Sequence, residues 1–181
     1  MEYIYGEIQT EYAKGLVNLS SKQELPEIKE TIGKLAQLAT ENVGNGEIQT
    51  AYAKGLFNLS CEQELPELKE TIGKLAWLAT ENVGNGEIQT EYAKGLYNLS
   101  CEQELSELKE TIGKLEQLAT ENVGNGEIQT EYAKGLYNLS CEQELPELKE
   151  TIGKLEQLAT ENVGNGEKQT VNSQGKTTEI P

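Results

Sequence analysis

The chain has 181 residues, a length that suits one ordinary domain, and a formal net charge of −16 from 31 acidic and 15 basic side chains. Every acidic residue is Glu and every basic residue is Lys, so the sequence has no Asp, Arg or His. An acidic surface repels phosphate backbones, which argues against nucleic acid as a partner, and the common catalytic triads and His-rich metal sites need His or Asp. We therefore expect a protein that is not an enzyme and that holds no metal and no cofactor.

The N-terminal segment MEYIYG, residues 1–6, differs from the sequence that follows, and we expect it to cap the first apolar face with Tyr3, Ile4 and Tyr5. It lacks a basic region followed by a long apolar run, and nowhere in the chain do about 18 apolar residues stand in a row. The sequence therefore predicts a cytoplasmic protein with no membrane partner.

From Glu7 onward, one unit occurs four times with few changes, as far as Gly166. Its period, the step from Glu7 to Glu47, lies within the range of about 20 to 50 residues that is typical of solenoids, in which each unit buries its apolar face against its neighbours. The units are repeat 1 (7–46), repeat 2 (47–86), repeat 3 (87–126) and repeat 4 (127–166). Residues 167–181 begin like a fifth unit and then depart from it, which predicts a degenerate, flexible tail.

Each repeat contains two stretches whose apolar residues recur at helical spacing. In repeat 2 these residues are Ile48, Tyr52, Ala53, Leu56 and Leu59, followed by Leu65, Leu68, Ile72, Leu75, Leu78 and Ala79. Pro66 suits the first turn of the second helix, Gly84 suits its end, and Asn85 suits the cap of the next helix. Each repeat is thus predicted to be a helical hairpin.

Two glycines inside the predicted helices, Gly55 and Gly73, recur in every repeat, although each costs about 1 kcal/mol relative to Ala. We favour close approach of a neighbouring helix as the explanation for both, because neither position calls for a positive φ or a phosphate site. The alternative is an accident that duplication copied.

The segment YAKGLYNLS followed by ELPELKETIGKLEQLA resembles the two-helix pattern of tetratricopeptide repeats. Ala53 and Gly55 stand where that family packs small side chains in its first helix, and Leu68 and Leu75 lie on the buried stripe of the second. The resemblance covers residues 7–166, with a period of about 40 residues in place of about 34, and without the family's late Pro. It implies an all-α protein, an α-solenoid of four stacked helical hairpins that form a right-handed superhelix.

The resemblance also implies a function, because the first helices of such proteins line a concave surface on which Lys and Asn side chains hold peptide carboxylates. We therefore predict a peptide-binding surface with four exposed positions in each repeat, facing a protein or peptide partner whose segment is acidic or carboxyl-terminal. Its residues are Thr10, Lys14, Val17 and Asn18 in repeat 1, Thr50, Lys54, Phe57 and Asn58 in repeat 2, Thr90, Lys94, Tyr97 and Asn98 in repeat 3, and Thr130, Lys134, Tyr137 and Asn138 in repeat 4.

The lysine position admits a second explanation. Lys14, Lys94 and Lys134 each follow a Glu by three residues, so local ion pairs on a solvated helix would also account for them. In repeat 2, Ala51 replaces that Glu and leaves Lys54 without a local partner. Both explanations stay open at the level of the sequence.

The neighbouring position reads Val17, Phe57, Tyr97 and Tyr137 in the four repeats. Aromatic side chains are favoured anchors in binding surfaces, so this variation could tune a contact with a partner. Drift at a half-exposed site explains it equally well.

The cysteines share one repeat position, at Cys61, Cys101 and Cys141. Equivalent atoms in successive stacked hairpins lie roughly 10 Å or more apart, beyond the ~7 Å Cα limit for a disulfide. We expect reduced thiols, which fits a cytoplasmic setting.

Together these patterns favour a non-catalytic interaction scaffold that binds an extended peptide or partner on the surface lined by the first helix of each repeat. The alternative is a structural or self-assembling repeat module. Repeat 4 would leave an apolar flank uncovered, and near-identical repeats can pair with another chain, which would give a homo-oligomer through the repeat ends.

Overall fold

A computed structural model describes residues 2–174 of the chain and, within that range, the side chains of residues 6–161. The described residues form eight helices, two for each repeat, and no strand. In chain order the helices are α1 (Glu2–Ser20), α2 (Glu27–Glu41), α3 (Gly46–Ser60), α4 (Glu67–Glu81), α5 (Gly86–Ser100), α6 (Leu105–Glu121), α7 (Gly126–Glu142) and α8 (Glu147–Gln174). The predicted all-α fold of helical hairpins is confirmed.

The first helices form one continuous layer, in which α1 packs against α3, α3 against α5, and α5 against α7. Each second helix packs against its own first helix, and α2, α4 and α6 also pack against the first helix of the following repeat. Among the described residues, no Cα atom of one second helix lies within 8 Å of a Cα atom of another. Because the first helices are closer together than the second helices, the stack curves toward the first helices, as an α-solenoid does.

An asparagine begins the first helix of each later repeat, as predicted. The Oδ1 atom of Asn85 accepts hydrogen bonds from the backbone N–H groups of Glu87 at 3.1 Å and Ile88 at 3.3 Å. These donors have no carbonyl partner within the helix, so the cap stabilises the helix start. Asn45 and Asn125 make the same bonds in their repeats.

The second helices end differently from the prediction. Asn82, and not Gly84, is the C-cap residue of α4, and its side chain donates a hydrogen bond to the carbonyl of Leu78 at 2.9 Å. No glycine in the described part of the chain has a positive φ, so Gly84 does not act as a left-handed cap. The side-chain amide of Asn82 therefore bonds to a carbonyl at the helix end, whereas a glycine cap would have satisfied such a carbonyl with a backbone N–H group.

Proline sets where the second helices begin. Pro66 is the N-cap residue of α4, one residue ahead of the predicted first turn, and Pro26 has the same place before α2. A proline disfavours helical backbone in the residue before it and cannot donate a backbone hydrogen bond. Ser106 has neither restriction, and α6 begins at Leu105, whereas the position equivalent to the start of α4 is Glu107.

The core is one apolar cluster that runs between the two layers of helices. Fully burying one Leu or Ile side chain contributes about 1.5–3 kcal/mol. The largest fully buried side chains are Ile28, Leu35, Ile48, Leu56, Leu68, Leu75, Leu78, Ile88, Leu96, Leu108, Leu115 and Ile128. The apolar positions predicted from helical spacing in repeat 2 all belong to this cluster or pack against it.

The two recurring glycines have different surroundings. A Cβ atom on Gly55 would lie 2.6 Å from Leu35 Cδ1 and 2.8 Å from Ile32 Cδ1, so α2 approaches α3 where no side chain fits. Gly95 and Gly135 are equally close to the preceding second helix, which confirms close packing for this position. The same explanation is wrong for Gly73, which is exposed and would have nothing within 4 Å of its Cβ atom.

The helices at both ends extend beyond the repeats. Helix α1 starts at Glu2, so the backbone of residues 2–6 continues into repeat 1 without a break, and helix α8 continues past repeat 4 to Gln174. The predicted covering by Tyr3, Ile4 and Tyr5 concerns side chains outside the described ones, and residues 175–181 of the predicted tail also lie outside the described part. None of the described helices is both long and apolar enough to cross a lipid bilayer.

Candidate partner-binding surface

The predicted surface lies on α1, α3, α5 and α7, on the inner side of the curved stack. We call it the first-helix surface and define it by the threonine, lysine, aromatic and asparagine positions of each repeat. The repeats supply these side chains at the same helical positions, so most contacts described below recur from one repeat to the next.

The threonine position is buried in the first three repeats, so the predicted exposure of Thr10, Thr50 and Thr90 is wrong. The Oγ1 atom of Thr50 accepts a hydrogen bond at 2.9 Å from the Nδ2 atom of Asn85, which lies at the end of repeat 2 and caps α5, the first helix of repeat 3. Matching bonds join Asn45 to Thr10 and Asn125 to Thr90. Only at Thr130, within the described residues, is this position exposed. The cap residue therefore joins successive repeats and covers the threonine.

The asparagine position also connects repeats. The Nδ2 atom of Asn58 donates to the Oγ atom of Ser20 in the preceding repeat at 2.9 Å. The equivalent bonds are Asn98 to Ser60 at 3.1 Å and Asn138 to Ser100 at 3.0 Å. Asn18 is exposed and its side chain has no hydrogen-bond partner among the described residues. Of the four predicted amides, Asn18 is thus the one that makes no hydrogen bond with its side chain among the described residues, so both of its N–H donors are available to a ligand.

The local explanation for the lysine position is confirmed, because three of the lysines pair with the Glu three residues earlier. The Nζ to Oε1 distances are 3.0 Å for Lys14 and Glu11, 3.5 Å for Lys94 and Glu91, and 3.0 Å for Lys134 and Glu131. The lysines are therefore not a row of unpaired cations.

A second set of ion pairs crosses from one repeat to the next. The distances are 2.9 Å for Lys14 and Glu47, 2.7 Å for Lys54 and Glu87, and 3.1 Å for Lys94 and Glu127. Hydrogen bonds to Glu47 and then Glu11 raise the pKa of Lys14 above its usual value. Burial lowers the pKa of Lys94, but the hydrogen bond to Glu127 and the charge of Glu91 outweigh it, so the net shift is upward. Lys54, which lacks a local partner, has its partner in repeat 3.

The aromatic position is half-buried in the first three repeats and exposed at Tyr137. The ammonium group of Lys94 lies 5.9 Å from the centre of the Phe57 ring, and that of Lys134 lies 5.2 Å from the centre of the Tyr97 ring. Such cation–π contacts contribute about 0.5–1 kcal/mol at exposed sites. Aromatic residues at this position therefore support the lysine of the following repeat.

A concavity of about 1010 Å³ lies over Ala51 on the first-helix surface. Small-molecule and peptide-side-chain sites commonly occupy about 300–1,000 Å³. Five predicted residues line it, Lys14, Val17, Asn18, Thr50 and Lys54. The other lining residues are Gly44, Asn45, Gly46, Glu47, Ala51, Asn85 and Glu87. We call this feature the Ala51 concavity.

Buried carboxylates occupy the position of Ala51 in the later repeats. Glu91 and Glu131 are each 7% exposed, whereas Glu11 in repeat 1 is exposed. Burial raises the pKa of the Glu91 carboxyl, with Lys94 acting in the opposite direction. The Oε2 atom of Glu131 is buried without a hydrogen-bond partner in the described structure. The substitution at Ala51 removes such a carboxylate and leaves open space between two lysines.

The remaining reactive side chains do not form a centre. Cys61, Cys101 and Cys141 are free and exposed near the ends of α3, α5 and α7. Within the described residues, no group of three or more Cys or Glu side chains is arranged to hold a metal ion.

No family model, no curated protein and no solved structure matches the chain. The helical repeat is therefore established by the chain's own period and helix packing.

The sequence prediction missed seven of the twelve residues that line the Ala51 concavity. The missed residues include Glu47 and Glu87, in the first turn of α3 and α5, and the cap residues Asn45 and Asn85 just before those helices. The sequence does contain a signal for the ion pairs between repeats. In all four units a glutamate follows the lysine by 33 residues, as Glu87 follows Lys54. In a stack of such repeats, that offset places the two charges one repeat apart and seven residues out of register, about two helical turns.

Proposed function

We propose that this protein is a non-catalytic interaction scaffold that binds an extended segment of a partner protein on the first-helix surface, with the Ala51 concavity as the principal seat. The observation that carries the proposal is the coincidence of a concavity of about 1010 Å³ on that surface with the one repeat in which Ala replaces Glu. The tetratricopeptide-like class belongs to the same proposal, because its members use this surface of an α-solenoid.

The charges around the concavity favour a segment with a carboxylate. Lys14 and Lys54 face Glu47 and Glu87 there, so positive and negative charges are balanced, while each later repeat adds a Glu at the position of Ala51. A peptide carboxylate therefore meets less repulsion beside Ala51 in repeat 2 than at the equivalent positions of repeats 3 and 4. An acidic or carboxyl-terminal segment remains the expected ligand.

The ion pairs of the lysines do not prevent this exchange. The side chains of Lys54 and Glu87 are 43% and 66% exposed, and exposed ion pairs contribute only about 0–1 kcal/mol. A bound carboxylate could replace Glu87 as the partner of Lys54 with little loss. Asn18, whose amide donors have no partner among the described residues, adds a second group for a peptide backbone or side chain.

The experiment that tests the proposal is selection of peptides from a displayed library by the intact protein, followed by binding to two single variants. Ala51→Glu places in repeat 2 the residue that repeats 3 and 4 carry, and should reduce affinity at least about tenfold, or ~1.4 kcal/mol. Ala76→Glu is the matched control, since it adds the same charge to the second helix of repeat 2 at a position where repeats 3 and 4 carry Glu116 and Glu156.

The control should bind within about twofold of the intact protein. Equal loss in both variants would mean that added charge alone weakens binding, and it would contradict a seat at Ala51. Failure to select any peptide with the intact protein would contradict the scaffold function as proposed here.

A further inference from the structure

The two ends of the stack carry opposite halves of the interface that joins the repeats. At the N-terminal end, Ile8 and Leu19 are 63% and 46% exposed, although their equivalents Ile48 and Leu59 in repeat 2 are buried. At the C-terminal end, Ile152 is 49% exposed, although its equivalent Ile112 is buried. Large apolar side chains that are buried inside the stack thus face outward at both ends of the described side chains.

The apolar halves fit each other. Inside the stack, an Ile and a Leu of one second helix pack onto the glycine of the next first helix, as Ile32 and Leu35 do on Gly55. At the N-terminal end, the equivalent Gly15 has nothing within 4 Å of a Cβ position. At the C-terminal end, the equivalent side chain of Ile152 is exposed. One end offers the depression, and the other offers the side chain that fills it.

The polar halves fit as well. Inside the stack, Asn58 donates a hydrogen bond to Ser20 of the preceding repeat. Asn18, the equivalent of Asn58 at the N-terminal end, and Ser140, the equivalent of Ser20 at the C-terminal end, lack this bond among the described side chains. The ring of Tyr137, which is 64% exposed, corresponds to the ring of Tyr97 that receives a lysine of the following repeat.

In the second helices, one series of lysines and glutamates is likewise paired inside the stack and has an unpaired member at each end. Lys29 pairs with Glu67, Lys69 with Glu107, and Lys109 with Glu147, each across a repeat boundary. Lys149 continues the series of lysines in repeat 4, and Glu27 begins the series of glutamates in repeat 1. Neither side chain has an ion pair among the described residues. They lie at opposite ends of the stack and carry opposite charges.

We infer that copies of this chain stack head to tail, with repeat 1 of one copy on repeat 4 of another in the register that joins repeats within the chain. The occupant of each end face is therefore a second copy of this chain. Such a contact is heterologous, since it uses two different surfaces, and it generates open filaments or closed rings in place of a single symmetric dimer. The concavity and the N-terminal end face share Asn18, but the association is tested separately, because neither Gly15 nor Ile152 lines the Ala51 concavity.

The test measures mass as a function of concentration by sedimentation equilibrium for the intact chain and for one variant at each end. Gly15→Leu fills the depression at the N-terminal end, where an added Cβ atom would have nothing within 4 Å. Ile152→Glu places a charge in the apolar patch at the C-terminal end. Val83→Glu, at a position 76% exposed in the turn between repeats 2 and 3, is the control. Circular dichroism checks that each variant retains the helices.

The intact chain and Val83→Glu should gain mass with concentration in steps of the 19.9 kDa monomer, and each end variant alone should stay monomeric. An equimolar mixture of Gly15→Leu and Ile152→Glu should form a complex of about twice the monomer mass and stop there, because each variant retains the face that the other has lost. A monomeric intact chain would overturn the inference. So would end variants that assemble like the intact chain, or a mixture that stays monomeric.

Discussion

At the scale of single residues, position in the stack decides what a repeated side chain does. Gly55 and Gly73 both recur in every repeat, yet one lies under the methyl groups of Leu35 and Ile32 and the other faces solvent. Recurrence in a duplicated sequence therefore does not distinguish a packing requirement from an inherited residue.

This difference gives a stability prediction. Gly73→Ala should raise the free energy of unfolding by about 1 kcal/mol, because Ala is the better helix former and nothing opposes its methyl group. Gly55→Ala gains the same helix propensity but overpacks the core, which costs about 1–3 kcal/mol, so it should leave the stability unchanged or lower it. Urea unfolding of both variants measures the difference. Equal stabilisation by the two substitutions would contradict close packing at Gly55.

A buried carboxyl group predicts how stability depends on pH. Burial raises the pKa of Glu91 in the folded chain above the ordinary value of about 4.3. The folded state therefore holds this proton more tightly than the unfolded state, and the side chain costs stability progressively as the pH rises above that ordinary value. Glu91→Gln should make the protein more stable at pH 7, and the gain should shrink as the pH falls toward 4.

Urea unfolding at both pH values measures this effect. Glu102→Gln is the control, because Glu102 is exposed and makes no ion pair among the described residues. Its stability difference from the intact protein should be small at both pH values. A gain for Glu91→Gln that is the same at pH 4 as at pH 7 would contradict a raised pKa.

At the scale of helices, polar side chains fix how one hairpin sits on the next. Three connections recur at each boundary on the first-helix side: a cap asparagine on a threonine, an asparagine on a serine, and a lysine on a glutamate. Hydrogen bonds and ion pairs of this kind have strict geometry, so they specify register, whereas apolar contact alone does not.

The asparagine on the serine can be tested with a matched pair. Asn58→Ala removes the bond to Ser20, which should cost about 1 kcal/mol, while Asn18→Ala removes a side chain without a described partner. Both substitutions gain the same helix propensity, so the difference between the two free energies of unfolding isolates the bond. Chemical denaturation of the two variants gives this difference. A value near zero would contradict a role for Asn58 in joining the repeats.

Much of the helical architecture could be predicted from the sequence, because helix formation depends on local patterns. The spacing of Ile48 and Leu56, the proline before most second helices and the asparagine cap are all local signals, and each predicted helix is present. The end of the second helix was predicted wrongly, since Gly84 and Asn82 are both suitable at a helix end and only the backbone geometry decides between them. The local signals favour hairpins, and the period favours the stack.

The site was harder to predict, because it depends on which side chains meet across a repeat boundary. Thr50 was expected in solvent and is covered by Asn85, the cap residue of the next first helix. Lys54 was expected to lack a local partner, and its contact with Glu87 of the next repeat was not foreseen. Such contacts depend on the packing angle between hairpins, which a single sequence does not specify. The substitution of Glu by Ala51 was visible in the sequence, but the open space that it leaves was not.

At the scale of the whole molecule, the stack behaves as a row of similar units in which each contacts only its neighbours. Most side chains at the repeat boundaries therefore contact a neighbouring repeat, and surfaces available to other molecules arise where the repeats differ. The Ala51 concavity is one such difference on the inner side, and the two end faces are another. Neither Gly15 nor Ile152 lines the Ala51 concavity, so partner binding and association of copies can be tested one at a time.

The most direct test of the central claim moves the concavity by one repeat and measures binding by isothermal titration calorimetry. Using a peptide selected by the intact protein, Ala51→Glu should abolish binding, and the double variant Ala51→Glu/Glu91→Ala should restore it with one peptide per chain. The reason is that Glu91→Ala opens in repeat 3 the space that Ala51 leaves in repeat 2, between Lys54 and Lys94. A double variant that stays inactive, or an Ala51→Glu variant that binds like the intact protein, would contradict the account.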